Sequence, residues 1–209
     1  MLSPPDSTFI YQRMAPYTLR PLNLSTIHLL GTQINRIADH EKIPWALIGG
    51  AAVALHLQMA KHPAAETRSS CDLDVAATTL PNDRRINWIC PLLAGGMVGT
   101  LGGQRIDWLV RKGADEPLRY MHCRLIASAT RTGDGIPVAA ADALCALKLS
   151  IPPRAFRPKD RWDCRLLLEV GAASIDGIAL WIKETVTNKS VREDAQRNIS
   201  QLTPQSVAA

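Results

Sequence analysis

Ser70-Cys71-Asp72-Leu73-Asp74-Val75-Ala76 is the stretch on which the reading of this chain turns. In an extended strand successive side chains leave opposite faces, so Asp72 and Asp74 project together while Leu73 and Val75 point the other way. Two carboxylates on one face attract a divalent cation. About twenty residues upstream, Leu47-Ile48-Gly49-Gly50 closes a short apolar run with a glycine pair, where backbone can approach a phosphate closely.

Working outward, residues 45–48 read as a short buried strand, Gly49-Gly50 as a turn, and residues 51–61, rich in Ala and Leu, as a helix. That order leaves backbone N–H groups at a helix N-terminus, where an anion is stabilised. Upstream, Ile27, Leu30, Ile34 and Ile37 recur at helical spacing within residues 25–40, with Ser25 as the expected N-cap, and Pro44 ends that helix. Downstream, a strand over 70–77 precedes a turn at Pro81-Asn82 and an expected helix over 83–93 that stops at Gly95-Gly96. Residues 104–110 alternate between flanking glycines and predict another strand. Residues 123–129 and 136–139 flank Thr132-Gly133-Asp134-Gly135 and read as a hairpin.

From residue 140 the pattern turns helical. One helix covers 140–150, and Pro152-Pro153 breaks it. A second opens on Pro158 and runs to Gly171, with Trp162, Leu166 and Val170 expected on one face. A third, from Ser174, carries Ile175, Ile178, Ala179, Ile182 and Val186 on one stripe. The fold class expected is therefore α/β (α+β): a mixed sheet flanked by helices, with a C-terminal helical bundle. The divisions expected are an N-terminal arm over 1–24, a core over 25–139, a helical region over 140–188 and a polar tail over 189–209.

With 46 % hydrophobic and 21 % charged residues in 209, the chain falls among globular proteins rather than disordered ones. The longest uncharged apolar stretch, 45–57 with His56 inside it, is too short to span a membrane. The first residues lack the basic start and apolar core of a secretion signal. Five cysteines without a CxxC pair support neither a disulfide framework nor a zinc knuckle, so a cytoplasmic protein with reduced thiols is expected. Lys plus Arg exceed Asp plus Glu by 24 to 19, a balance that permits a polyanionic partner without requiring one.

Asp107 joins Asp72 and Asp74 as the third acidic side chain of interest. It lies between Ile106 and Trp108, where an unpaired carboxylate costs several kcal/mol, so a cation or a basic partner is expected beside it. Three strand-borne carboxylates would hold Mg2+, two ions being expected, and beside a glycine turn they form the parts for nucleotidyl transfer. His56, flanked by Leu55 and Leu57, reads as a satisfied core residue. Arg68 either reaches a triphosphate or pairs with the carboxylates. Ser70 shares the face of Asp72 and either bonds a phosphate or is simply surface-polar. Lys148 stands in the apolar run 144–149 and either snorkels to solvent or meets an anion. The run 154–165 interleaves basic residues with Phe156 and Trp162, which suits phosphate or RNA, or else an exposed helix start with Trp162 packed inward. Asp163 lies at the edge of the buried face, where it would orient Lys148 or Lys159.

Taken together, the Gly49-Gly50-Ala51 turn, Arg68-x-Ser70-Cys71-Asp72-x-Asp74, the later Asp107, Lys148 and Arg157-x-Lys159-Asp160-x-x-Asp163 resemble the nucleotidyltransferase superfamily of the DNA polymerase β type. Within it the chain is similar to the AbiEii-type toxins and related minimal nucleotidyltransferases. The resemblance spans residues 25 to 185. It implies that Asp72, Asp74 and Asp107 bind Mg2+, with Asp107 as base, and that Gly49 and Gly50 hold the triphosphate of an NTP. It further implies that Lys148 and Asp163, with Arg68, Ser70 and Lys159, complete the catalytic and nucleotide sites. The acceptors it implies are a tRNA 3′ end, another RNA, a protein hydroxyl or an antibiotic hydroxyl, and an antitoxin protein is an implied partner. The alternative is an inactive nucleotide- or RNA-binding module of the same fold.

Overall fold

The computed structural model describes residues 21–68, 70–93, 95–111, 118–150 and 157–202. The expected break at Pro152-Pro153, Arg154 and Phe156 of the basic run, most of the N-terminal arm and the end of the polar tail lie outside these residues.

Helix α1 (Leu24–Glu41) begins one residue before the expected Ser25 cap, because the Asn23 side chain instead accepts from the Thr26 N–H at 2.9 Å. Its buried stripe is the predicted one, Ile27, Leu30, Ile34 and Ile37. Strand β1 (Trp45–Ile48) runs directly into α2 (Gly49–Met59), which is buried nearly all round, as its Ala- and Leu-rich sequence requires. A short helix, α3 (Ala64–Thr67), leads to β2 (Leu73–Ala77).

Where a helix was expected over 83–93, the chain forms β3 (Asn87–Pro91), followed by β4 (Gly96–Leu101) and β5 (Gln104–Leu109). The Asp83 side chain accepts from the Arg85 N–H at 2.8 Å, so the apparent helix cap closes only a local turn. Trp88 then packs edge-on against Trp108, centroids 6.2 Å apart, a cross-sheet contact that a local reading cannot see. Residues 123–127, read as a strand, belong to α4 (Arg119–Ala127), whose buried Met121, His122 and Leu125 have helical spacing. The expected hairpin survives as the two-residue strands β6 (Thr130–Arg131) and β7 (Pro137–Val138) around the predicted turn.

The strands form one seven-stranded sheet in the order β3-β4-β5-β2-β1-β7-β6. It is mixed: β2 pairs antiparallel with β1 and parallel with β5, and β1 pairs parallel with β7. The C-terminal helices α5 (Ala141–Ser150), α6 (Pro158–Glu169), α7 (Ile175–Thr185) and α8 (Lys189–Ser200) pack around α5, and α2 lies between the sheet and α6. Eight helices thus flank the sheet among the described residues. The polar segment after Asn188 is itself a helix, capped by that asparagine and anchored by the buried Ala195.

Trp162 departs from expectation. Leu166 is buried as expected, with Asp160, Asp163, Cys164 and Leu167, but Trp162 lies outside this face, 58 % exposed.

Candidate functional site

The register of the sheet assembles the acidic cluster. Asp74 on β2 is the direct partner of Asp107 on β5, and on its other side of Ile48 at the end of β1. Neighbouring strands lie about 4.8 Å apart, so carboxylates in register on one face must crowd each other. Asp72 enters from the residue before β2. Each of the three offers an oxygen, and these oxygens lie within 4.8 Å of one another. An all-carboxylate oxygen set fits a hard cation such as Mg2+ rather than a softer metal.

Crowding shows in the electrostatics. Burial, then the charges of Asp72 and Asp107, pushes the Asp74 carboxyl up to about 7, against the opposing pull of Lys148 and Lys159. Asp107 has the basic partner its apolar neighbours demanded: Arg105 Nε donates to Oδ1 at 2.7 Å and its second nitrogen to Oδ2 at 2.8 Å. Those hydrogen bonds, opposed by partial burial and reinforced by the charges of Asp107, Asp72 and Asp74, raise the Arg105 pKa.

The glycine pair is the first turn of α2 rather than a separate loop, and it lies against the acidic strand. Gly49 has φ +66°, and a Cβ there would overlap the Asp74 carboxylate, with Cγ only 2.6 Å away. A Cβ on Gly50 would stand 2.9 Å from both an Arg68 nitrogen and Ser70 Oγ. At Gly49 this brings backbone to within contact of the cluster, which only glycine allows. Gly49→Ala is therefore expected to displace Asp74 and to reduce the Mg2+-induced rise in Tm by at least half, read by thermal melting with and without 10-fold excess MgCl2 over about 1 mM; an unchanged Mg2+ response would show that the close approach is unimportant.

A cavity of about 290 Å³ opens in front of the cluster, lined by Ile48, Gly49, Gly50, Asp72, Asp74 and Asp107 on the sheet side. Lys148, Arg157, Lys159 and Asp160 line it from the helical side, with Arg111 at β5 and Leu144 and Leu147 of α5.

Behind that wall lies a buried ionic network. Lys148 Nζ contacts Asp160 Oδ1 at 3.0 Å and Asp163 Oδ2 at 2.9 Å, so it meets an anion rather than snorkelling. Arg68 grips the same Asp163 with two nitrogens at 2.5 and 2.8 Å. Asp163 is fully buried. Burial alone would push its carboxyl up; the Arg68 and Lys148 contacts outweigh that and hold it below the ordinary value. Arg157 donates to Asp160 Oδ2 at 2.5 Å.

Of the residues singled out in the sequence, Asp72, Asp74, Asp107, Gly49, Gly50, Lys148 and Lys159 therefore meet at one cavity. Arg68, Ser70 and Asp163 do not face it: Arg68 and Asp163 pair behind it, and the Ser70 hydroxyl donates to Asp72 Oδ1 at 3.1 Å. His56 donates from Nε2 to the Ala139 carbonyl at 2.8 Å, and burial pushes its pKa down, as suits a neutral core histidine. Arg105 completes the site without having been singled out, and Asp160, quoted only as part of the Arg157-x-Lys159-Asp160-x-x-Asp163 motif, joins it as a second anion on Lys148. The signal for Arg105 was present, since a basic residue two places before Asp107 on one strand shares its face.

Solved structures with this architecture are found. The chain is 18 % identical to an antigenic nucleotidyltransferase-like protein from Paracoccidioides brasiliensis, over 88 % of this chain and 92 % of that one, with a TM-score of 0.52. The fold is nucleotidyltransferase-like. The antibiotic-resistance factor ANT(2'')-Ia also aligns, at 18 % identity over 87 % of this chain and 96 % of its own, with a TM-score of 0.47. No protein-family model matches the sequence, and no curated protein matches it significantly. Among the described residues no helix is long and apolar enough to cross a membrane.

Proposed function

We propose that this nucleotidyltransferase-like chain is an enzyme that moves a nucleoside monophosphate from an NTP to an acceptor hydroxyl. The bond formed joins the acceptor oxygen to the α-phosphorus; the bond broken is that to the β-phosphate oxygen, and pyrophosphate leaves. The observation that supports this best is the meeting of three carboxylates, the N-terminus of an 11-residue helix and two lysines at one cavity.

Asp72, Asp74 and Asp107 would hold Mg2+, which when bound supplies charge neutralisation and orientation of oxygens. The chain's own groups supply the rest. The free N–H groups at the start of α2 favour the triphosphate, with the glycines admitting it closely. Lys148 and Lys159 add positive charge where negative charge builds up on the phosphates. Asp163, with Arg68, positions Lys148 from behind. Asp107 accepts the proton of the acceptor hydroxyl, a role that requires Arg105 to release one of its oxygens. For the acceptor, an RNA end such as a tRNA 3′ hydroxyl suits the net charge of +5; a protein hydroxyl and an antibiotic hydroxyl are the alternatives, and a toxin role with an antitoxin partner follows the same chemistry.

Incubation with α-labelled NTPs, Mg2+ and either total RNA or protein lysate tests the reading. Label is expected on one macromolecule with the wild type and to fall by on the order of 10²-fold or more with Asp72→Ala. Equal label in both proteins, or nucleotide binding without transfer in either, favours a binding module of the same fold.

A further inference from the structure

Arg105 is the one feature of the acidic cluster that a plain cation site does not explain. It leaves β5 from the same face as Asp107 and occupies both of its carboxylate oxygens in a two-pronged contact. Its side chain is 22 % exposed and that of Asp107 12 %, so part of the arginine already meets solvent while it holds the carboxylate. Lys148, a buried cation of the helical side, is engaged with Asp160 and Asp163 instead. A divalent ion shared by Asp72, Asp74 and Asp107 would stand within a few ångströms of the Arg105 charge, and like charges at that range repel strongly.

We propose that Arg105 is a built-in counter-ion of the carboxylate cluster, which neutralises Asp107 while no cation is bound and withdraws toward solvent when a divalent cation enters. The proposal rests on the reading of the three aspartates as a cation site. Its consequences are that the empty cluster tolerates its own crowding, and that cation affinity is weaker than three carboxylates alone would give. Arg105 is a positioning residue: it acts through Asp107.

Mn2+ titration followed by the electron paramagnetic resonance of the free ion measures this without turnover. Arg105→Gln is expected to bind Mn2+ about tenfold more tightly than the wild type, and to melt lower than the wild type without metal but not at saturating Mn2+. A merely structural ion pair would lower the melting temperature and leave Mn2+ affinity unchanged or weaker, and that result overturns the proposal. If the glutamine variant does not fold, Arg105→Lys carries the test, because it keeps the charge but loses the fork: roughly threefold tighter binding is expected, and equal or weaker binding overturns the proposal. Should the wild type and both variants all fail to bind Mn2+ at millimolar concentration, the cation site itself falls and the counter-ion role with it.

Discussion

Replacing Asp74 by Asn is expected to cost on the order of 10³-fold in nucleotidyl transfer while leaving the metal-free protein at pH 8 at least as stable as the wild type. The two effects have one cause. Asp74 stands between Asp72 and Asp107 without room to separate from them, and burial together with those charges lifts its carboxyl to about 7 from an ordinary 3.8. An acid whose folded-state pKa is raised keeps its proton in the fold after the unfolded chain has lost it. Stability therefore falls as the pH rises from 3.8 to about 7, and is level on either side of that window. Asparagine never carries the charge, so its advantage is absent below the window and complete above it. On the proposed reading Mg2+ would bind the ionised cluster and so reverse the sign for the wild type; the Mg2+-induced rise in Tm should be small at pH 5.5, larger at pH 8, and lost in Asp74→Asn. Thermal melts at the two pH values with and without MgCl2, alongside the label-transfer assay, decide the matter. A variant that melts well below the wild type at pH 8, or a Mg2+ response independent of pH, would contradict this account.

The second large effect is structural. Asp163→Ala should destabilise the fold by about 3–5 kcal/mol, because it strips the shared anion from two buried cations rather than removing a whole ion pair. Arg68 comes from the segment before β2, Lys148 from α5 and Asp163 from α6, so the loss would loosen the helical wall from the sheet at the cavity. At about 2–4 °C per kcal/mol for a chain of this size, a fall in Tm on the order of 10 °C follows. Asp163→Asn keeps an acceptor oxygen and is expected to cost less. The pH dependence has the opposite sign to that of Asp74: a depressed carboxyl contributes stability that is complete above its unfolded value of 3.8 and is lost as the pH falls through the lower folded value. The gap between wild type and Asp163→Ala should therefore narrow in acid. A loss under about 1 kcal/mol at pH 7 would mean that water replaces the carboxylate, and that the network does not hold the wall.

These two residues also show how unevenly the site was legible. Asp72 and Asp74 were readable as a close pair because they are two residues apart, but the expected strand over 70–77 begins only at Leu73, so Asp72 reaches the cluster from the bend before β2 rather than by strand periodicity. Gly49 was readable as a site of close approach, but its neighbour was not. That the Asp74 carboxylate fills the space a Cβ would need follows from the pairing of Ile48 with Asp74 across two strands. Lys148 was legible as an ammonium that either meets an anion or snorkels to solvent, and Asp163 as one group able to orient it or Lys159. Their sharing with Arg68, 95 residues away from Asp163, was not.

The misread segments share a cause. Residues 83–93 open on an Asp that caps locally and are followed by Gly95-Gly96, which end an element, signals common to helices and hairpins; the pairing of β3 with β4 and the Trp88–Trp108 contact chose the hairpin. Residues 123–127 are short and mixed, and the helix forms because Met121, His122 and Leu125 have the sheet to pack on.

By itself, then, the order of residues determined that Asp72 and Asp74 come close together, that a glycine pair stands between a buried strand and a helix, and that Asp107 requires an opposite charge while Lys148 either meets an anion or reaches solvent, because all of these depend on separations of a few residues or on the cost of burying an ion. Tertiary structure alone decided which partners they received. Strand register set Asp107 beside Asp74, and the docking of α5 and α6 set Lys148 on Asp160 and Asp163, since such encounters depend on which surfaces bury against each other across the whole chain.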